Sequence, residues 1–134
     1  MANVIVPVVQ PLMLCEEIDE EGGMLNVYGL FNVLRAELFP HTRELFCVFA
    51  QLSGGLGEMS FHYDLVRSRD ERLVRTSHLQ RFRFDRRSQL IQLFARFEDI
   101  VFEEPGVYLL QLFCDNTWVA DVSLEMLEIA DGDE

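Results

Sequence analysis

The chain has 134 residues, 49% of them apolar, and carries eleven arginines, no lysine and twenty-three acids, for a formal net charge of −12. At this size one domain buries roughly two thirds of its unfolded surface, so a single core stands without disulfide or metal. The three cysteines, Cys15, Cys47 and Cys114, are odd in number, lack C-x-x-C spacing and sit in apolar runs, which argues against a disulfide framework or zinc site and for reduced, buried thiols.

The amino-terminal run through Leu14 is apolar but has no basic flank or small-residue cleavage site, and Pro7 and Pro11 interrupt it. It reads as a strand with a bent approach and not as a signal. No apolar run reaches the roughly 20 residues that cross a bilayer, so the expectation is a cytoplasmic, reducing location with no membrane contact. Residues 12–18 and 24–30 are strand-like and joined by the turn Asp19-Glu20-Glu21-Gly22-Gly23, a first hairpin. Phe31 to Pro40 stays open between one helical turn and an extended crossover. Glu44 to Leu52 is apolar on both faces and closes at Ser53-Gly54-Gly55-Leu56-Gly57. A strand of that kind is central in its sheet and covered on both sides.

Met59, Phe61, Tyr63 and Leu65 then alternate with Ser60, His62, Asp64 and Val66, and Arg69-Asp70-Glu71 turns the chain into Leu73-Val74-Arg75-Thr76. His78 to Phe84 and Gln89 to Phe97 read as two further strands around Asp85-Arg86-Arg87-Ser88, with Ile91, Leu93, Ala95 and Phe97 toward the core. The last quarter is the most informative. Residues 105–114 and 117–126 flank Asp115-Asn116, a pair that tolerates positive φ, and so form a β-hairpin. In its second run Trp118, Ala120, Val122, Leu124 and Met126 fall on the core face and Val119, Asp121, Ser123 and Glu125 on the other. The expected domain is residues 1–129, and the acidic tail 130–134 is expected to be disordered for want of an apolar anchor.

About eight short strands at roughly ten-residue spacing predict an all-β fold, an antiparallel two-sheet sandwich of immunoglobulin-like or related type, with a small β-barrel as the alternative. Leu25-Asn26-Val27-Tyr28-Gly29-Leu30 after a Glu-Gly turn, Pro40 ending the crossover, and Pro105-Gly106-Val107-Tyr108 opening a hairpin resemble a bacterial family of small uncharacterised proteins. The likeness covers residues from about 12 to 127. It implies a β-sandwich-like fold and transfers no activity and no catalytic residue.

The histidines His41, His62 and His78 are scattered, without metal-ligand spacing. The acidic run Glu16-Glu17 and Asp19-Glu20-Glu21 lacks the D-x-D-x-D-G order of a calcium loop and reads as a solvated turn, and Ser53 to Gly57 lacks the lysine and helix of a phosphate loop. No catalytic, cofactor or metal residue is assigned. Arginine is the uneven feature. Arg67, Arg69, Arg72, Arg75, Arg81, Arg83, Arg86 and Arg87 lie in one segment with only Asp70, Glu71 and Asp85, leaving three arginines and twenty acids elsewhere. Arg81 and Arg83 alternate with Phe82 and Phe84, so a strand there carries guanidinium on one face and rings on the other. Such a strip suits an acidic protein or a second copy of the chain, or else an ordinary solvated face paired with nearby acids. The overall negative charge opposes nucleic acid. The doubly apolar strand offers a second candidate, an apolar interface of Leu45, Phe46, Val48, Phe49 and Leu52. The functional expectation is a non-enzymatic protein-interaction or assembly module, a homodimer among its forms, needing no cofactor, with a small-ligand, anion or carbohydrate-binding module as the alternative.

Overall fold

Period-two alternation becomes ten strands in the computed structural model, which describes residues 4–130. They are β1 Val8–Glu21, β2 Met24–Phe31, β3 Val33–Ala36, β4 His41–Ser53, β5 Gly57–Arg67, β6 Arg72–Thr76, β7 Gln80–Phe84, β8 Ile91–Phe102, β9 Gly106–Cys114 and β10 Thr117–Glu128. There is no helix among the described residues. One sheet has four strands in the order β2-β1-β4-β8, and the other has six in the order β3-β10-β9-β5-β6 with β7 also paired to β5. Every pairing is antiparallel except that of β3 with β10. Neither sheet closes on itself, so the two-sheet arrangement holds over the barrel. The core lies between them, where Phe46, Val48, Ala50 and Leu52 of β4 meet Met59, Phe61, Tyr63 and Leu65 of β5 and Tyr108, Leu110 and Leu112 of β9. Phe46 stacks on Phe97 at 5.4 Å, and Phe102 meets Tyr108 edge-on at 5.0 Å across the sheets. The Tyr63 hydroxyl donates to the Leu93 carbonyl at 3.0 Å, tying β5 to β8 through the interior.

The strand count exceeds the expected eight because partners distant in sequence complete strands that local pattern does not show. Residues 31–40 hold no helical turn: Val33 to Ala36 form a strand parallel to Glu125 to Glu128 of β10, and residues 37–40 bend. The first hairpin turns on Gly22-Gly23 alone, both with positive φ (60° and 80°), so Asp19 to Glu21 stay in the strand opposite Met24 to Asn26. Two positions reset the alternation. At Gly29, φ 69°, which faces Glu16 so closely that an added Cβ would stand 2.8 Å from its side chain, the inward and outward faces exchange and Ile18 joins Cys15. At Asp99, φ 53°, β8 does the same, which lets Phe97, Ile100 and Phe102 all reach the core.

The carboxy-terminal hairpin turns on Asp115 and Asn116, φ 48° and 62°. Trp118 corrects the expected core face: it is 53% exposed. Trp118 pairs with Phe113 and Ala120 with Leu112, leaving Val119 as an extra, bulged residue. The bulge shifts the phase, so Val119 packs toward the core and the indole faces outward, while Val122, Leu124 and Met126 keep their expected side. The bent approach of β1 is a register shift between Val9 and Leu12, at Pro11. The tail expected to be disordered lies, from residue 131 on, outside the described residues.

Candidate functional site

The arginine segment forms one border of the six-stranded sheet. Strands β6 and β7 pair in succession along the same side of β5, so together they are one interrupted edge. Arg81 stands opposite Ser60 and Arg83 opposite Glu58, and Arg81 reaches Glu58 at 2.8 Å while Arg83 reaches Asp85 at 2.8 Å. At the other end Arg67 turns inward, 9% exposed, with Nε and Nη2 donating to Asp70 at 3.0 and 2.6 Å and Nη1 at 3.3 Å from Glu104. Arg69 also binds Glu104, and Arg72 lies 3.6 Å from Glu103. Hydrogen bonding from Arg67 holds the Asp70 carboxyl well below the usual range, and hydrogen bonding from Arg69 lowers that of Glu104. Arg75 donates to the carbonyls of Glu98 and Asp99 across the gap between the sheets, and Arg87 to that of Gly54. Arg86 is exposed in the β7–β8 turn, its carbonyl accepting from the Gln89 amide. Most of the strip is therefore matched by its own acids, which weakens its field. A charged border also suits a free sheet edge, where guanidinium side chains discourage strand addition.

The doubly apolar strand divides between two environments. Phe46, Val48 and Leu52 face the other sheet and belong to the core, so they cannot form an interface; Leu45 and Phe49 point to the opposite, outer face of the four-stranded sheet. There a second cluster gathers. Leu30, Cys15, Cys47 and Arg96 form a row across β2, β1, β4 and β8, and Met13, Phe49 and Phe94 form the next. Cys15, Ile18, Cys47 and Phe49 are buried, Met13, Leu25, Val27, Leu45 and Phe94 are half-buried, and Leu30 is 61% exposed. Over Cys47 runs a polar strap: Arg96 Nε approaches Glu17 Oε1 at 3.4 Å, Arg96 Nη2 donates to the Ile18 carbonyl at 2.6 Å, and the Cys47 thiol lies 3.9 Å from the same Glu17 oxygen. The acidic run that sequence places in a turn thus supplies, through Glu17, part of this surface. Local pattern marked β4 as two-faced but could not show that Glu17 and Arg96, 79 residues apart, meet above it.

The remaining candidates are separate. His62 stacks on Phe113 at 4.9 Å and stands 3.6 Å from Asp64 on the outer face of the six-stranded sheet. His78 lines a groove of about 400 Å³ between β6, β7 and β8, with Phe61, Arg75, Phe94 and Phe97 among its other walls. A smaller cavity of about 250 Å³ lies beside Arg67, Arg72, Arg75 and Tyr108, bordered by Asp99 and Glu103. Cys114 lies in the main core. No cluster of three or more metal-ligating side chains occurs among the described residues.

A family model described as a family of unknown function (DUF6941) matches residues 10–127. No curated protein matches the chain. Among solved structures, the alkylpurine DNA glycosylase AlkC of Pseudomonas fluorescens, bound to DNA containing an abasic site analog, aligns with a TM-score of 0.55 at 14% identity over 95% of this chain and 31% of that one. A β-glucosidase from Listeria innocua, in complex with isofagomine, aligns with a TM-score of 0.50 at 9% identity over 90% of this chain and 16% of that one. The chain spans less than a third of either protein, and these likenesses concern the fold alone.

Proposed function

The chain belongs to the family of unknown function DUF6941, and from that premise we propose that it is a non-enzymatic interaction module that pairs with a second copy of itself through the outer face of its four-stranded sheet. The observation that carries this reading is the second apolar cluster. A two-sheet sandwich needs one core between its layers, yet here Leu45, Met13, Phe94 and Leu30 extend an apolar surface on the far side. Such a surface gains from anything laid over it, and large apolar patches mark contact sites.

A second copy suits it on two grounds. Strands of 8, 14, 13 and 12 residues side by side offer a face of roughly 20 by 40 Å, close to the roughly 800 Å² per partner of a stable interface. The face carries both signs, Arg96 beside Glu17 and Glu98 on the same side, as a self-complementary two-fold contact requires. The arginine border is the weaker docking candidate, since its charges are largely spent on Asp70, Glu58, Asp85, Glu103 and Glu104. Light scattering at low and high salt tests the reading. The expected mass is twice that of the chain at both, falling to the monomer in Leu45→Asp and unchanged in Arg81→Glu/Arg83→Glu. A monomer at both salts overturns the sheet-face dimer, and a dimer that dissolves with salt transfers the contact to the arginine border.

A further inference from the structure

We propose that Cys15 and Cys47 form an oxidation site, closing to a disulfide across β1 and β4 when a peroxide reaches them. The two residues stand directly opposite one another in the ladder, and directly opposed residues present their side chains to the same face of the sheet. Opposed Cα atoms in an antiparallel pair lie about 4.5 or 5.5 Å apart according to the type of pair. A disulfide spans about 4.4 to 6.8 Å between Cα atoms. Bridging this pair therefore calls for side-chain rotation and not for displacement of the strands. Cys114 faces the main core on the other sheet, so the three thiols divide into a pair and one remote residue.

Access is the physical objection, because both thiols are fully buried. What covers Cys47, however, is the Glu17–Arg96 pair, whose side chains are themselves nearly half exposed. An exposed ion pair of this kind contributes little, so lifting the strap costs chiefly the Arg96 hydrogen bond to the Ile18 carbonyl. Burial raises both thiols above the ordinary range, Cys15 to about 12, and at Cys47 the Glu17 charge adds to the rise while Arg96 opposes it, so each is a slow nucleophile unless its proton is taken as it attacks. Glu17 Oε1, 3.9 Å from the Cys47 sulfur, is placed to accept the proton. Cys47 then attacks one oxygen of hydrogen peroxide, the O–O bond breaks, and a sulfenic acid and one water result. The Cys15 sulfur attacks the sulfenic sulfur, the S–O bond breaks, and a second water leaves with the Cys15 proton. Two thiols lose two electrons and the peroxide gains them. A second copy docked on this face would cover the Glu17–Arg96 strap, so the route to the thiols belongs to the single chain, and peroxide is applied at a chain concentration where light scattering reports one copy.

The test is to expose the native, fully reduced chain to hydrogen peroxide, with the Cys114→Ser chain in parallel. Three titratable thiols should fall to one in the parent, with a mass loss of about 2 Da for the two hydrogens. In Cys114→Ser the two remaining thiols should fall to none. Proteolysis without reductant should yield the Cys15 and Cys47 peptides joined, and dithiothreitol should separate them. Retention of all thiols under peroxide that oxidises a free low-molecular-weight thiol overturns the proposal. So does a bridge that includes Cys114, or oxidation that only adds oxygen.

Discussion

Arg67 and Asp70 show how much of a charged pattern can be consumed by the fold. The guanidinium is nearly buried at the end of the sandwich, and two of its nitrogens are fixed on one carboxylate three residues away, at 3.0 and 2.6 Å. Asp70 also accepts from the Arg72 amide at 3.3 Å, so it holds the β5–β6 turn as well as the arginine. Its carboxyl is depressed, with the Arg67 hydrogen bonds as the largest cause. A depressed acid contributes stability that is complete above its unfolded pKa, about 3.9, and lost as pH falls through the folded value. Asp70→Asn should therefore lower the urea midpoint at pH 7, and its deficit against the parent should shrink as the pH is taken below about 4. An equal deficit at pH 7 and pH 3 would mean that the turn geometry, and not the charge, is what Asp70 supplies. From sequence, Arg67 was one of eight similar residues; its inward direction depends on where β5 ends, which no local pattern states.

At the scale of elements, β10 marks where alternation informs and where it misleads. Leu124 and Met126 are buried as their phase requires, and the Asp115-Asn116 turn forms where its chemistry places it. Trp118 is in phase with them by sequence yet exposed, because one bulged residue, Val119, lies between. A bulge adds no distinctive residue to the sequence; it appears only when Phe113 and Leu112 on β9 are matched to their partners. The same holds for β3, whose partner is about ninety residues away, and for Gly29, whose positive φ turns Ile18 outward. Fold class and most strands were thus legible, whereas faces beyond each reset were not. The candidate interface suffered accordingly: Phe46, Val48 and Leu52 shared a run with Leu45 and Phe49 but belong to the other side. The tryptophan offers a direct check, being the only one in the chain. Its native emission should resemble that of an exposed indole and shift little on unfolding, and Trp118→Ser should change stability by no more than about 0.5 kcal/mol. A strongly blue native emission would place the indole in an apolar interior and remove the bulge.

For the whole molecule, charge sets opposing terms whose ranges differ. The ion pairs of the arginine border and the Glu17–Arg96 strap act over 2.5 to 3.6 Å, whereas the net charge of −12 acts across the entire body. Surface pairs contribute about 0–1 kcal/mol each, and five arginines of the border are already committed to neighbouring acids. The surplus acids, among them Glu20 and Glu21 on β1 and Asp121, Glu125 and Glu128 on β10, then repel one another over distances that salt screens efficiently. Raising ionic strength from about 0.01 to about 1 M shortens the screening length from about 30 to about 3 Å. That removes most of the body-wide repulsion while leaving close pairs much of their attraction. The thermal midpoint should accordingly rise by several degrees between those conditions, at a protein concentration where light scattering reports a constant mass. Holding the mass constant matters, because association alone would also raise the midpoint. A midpoint that falls with salt would show that the arginine pairs outweigh the repulsion. The border would then be a principal source of stability rather than a guarded sheet edge.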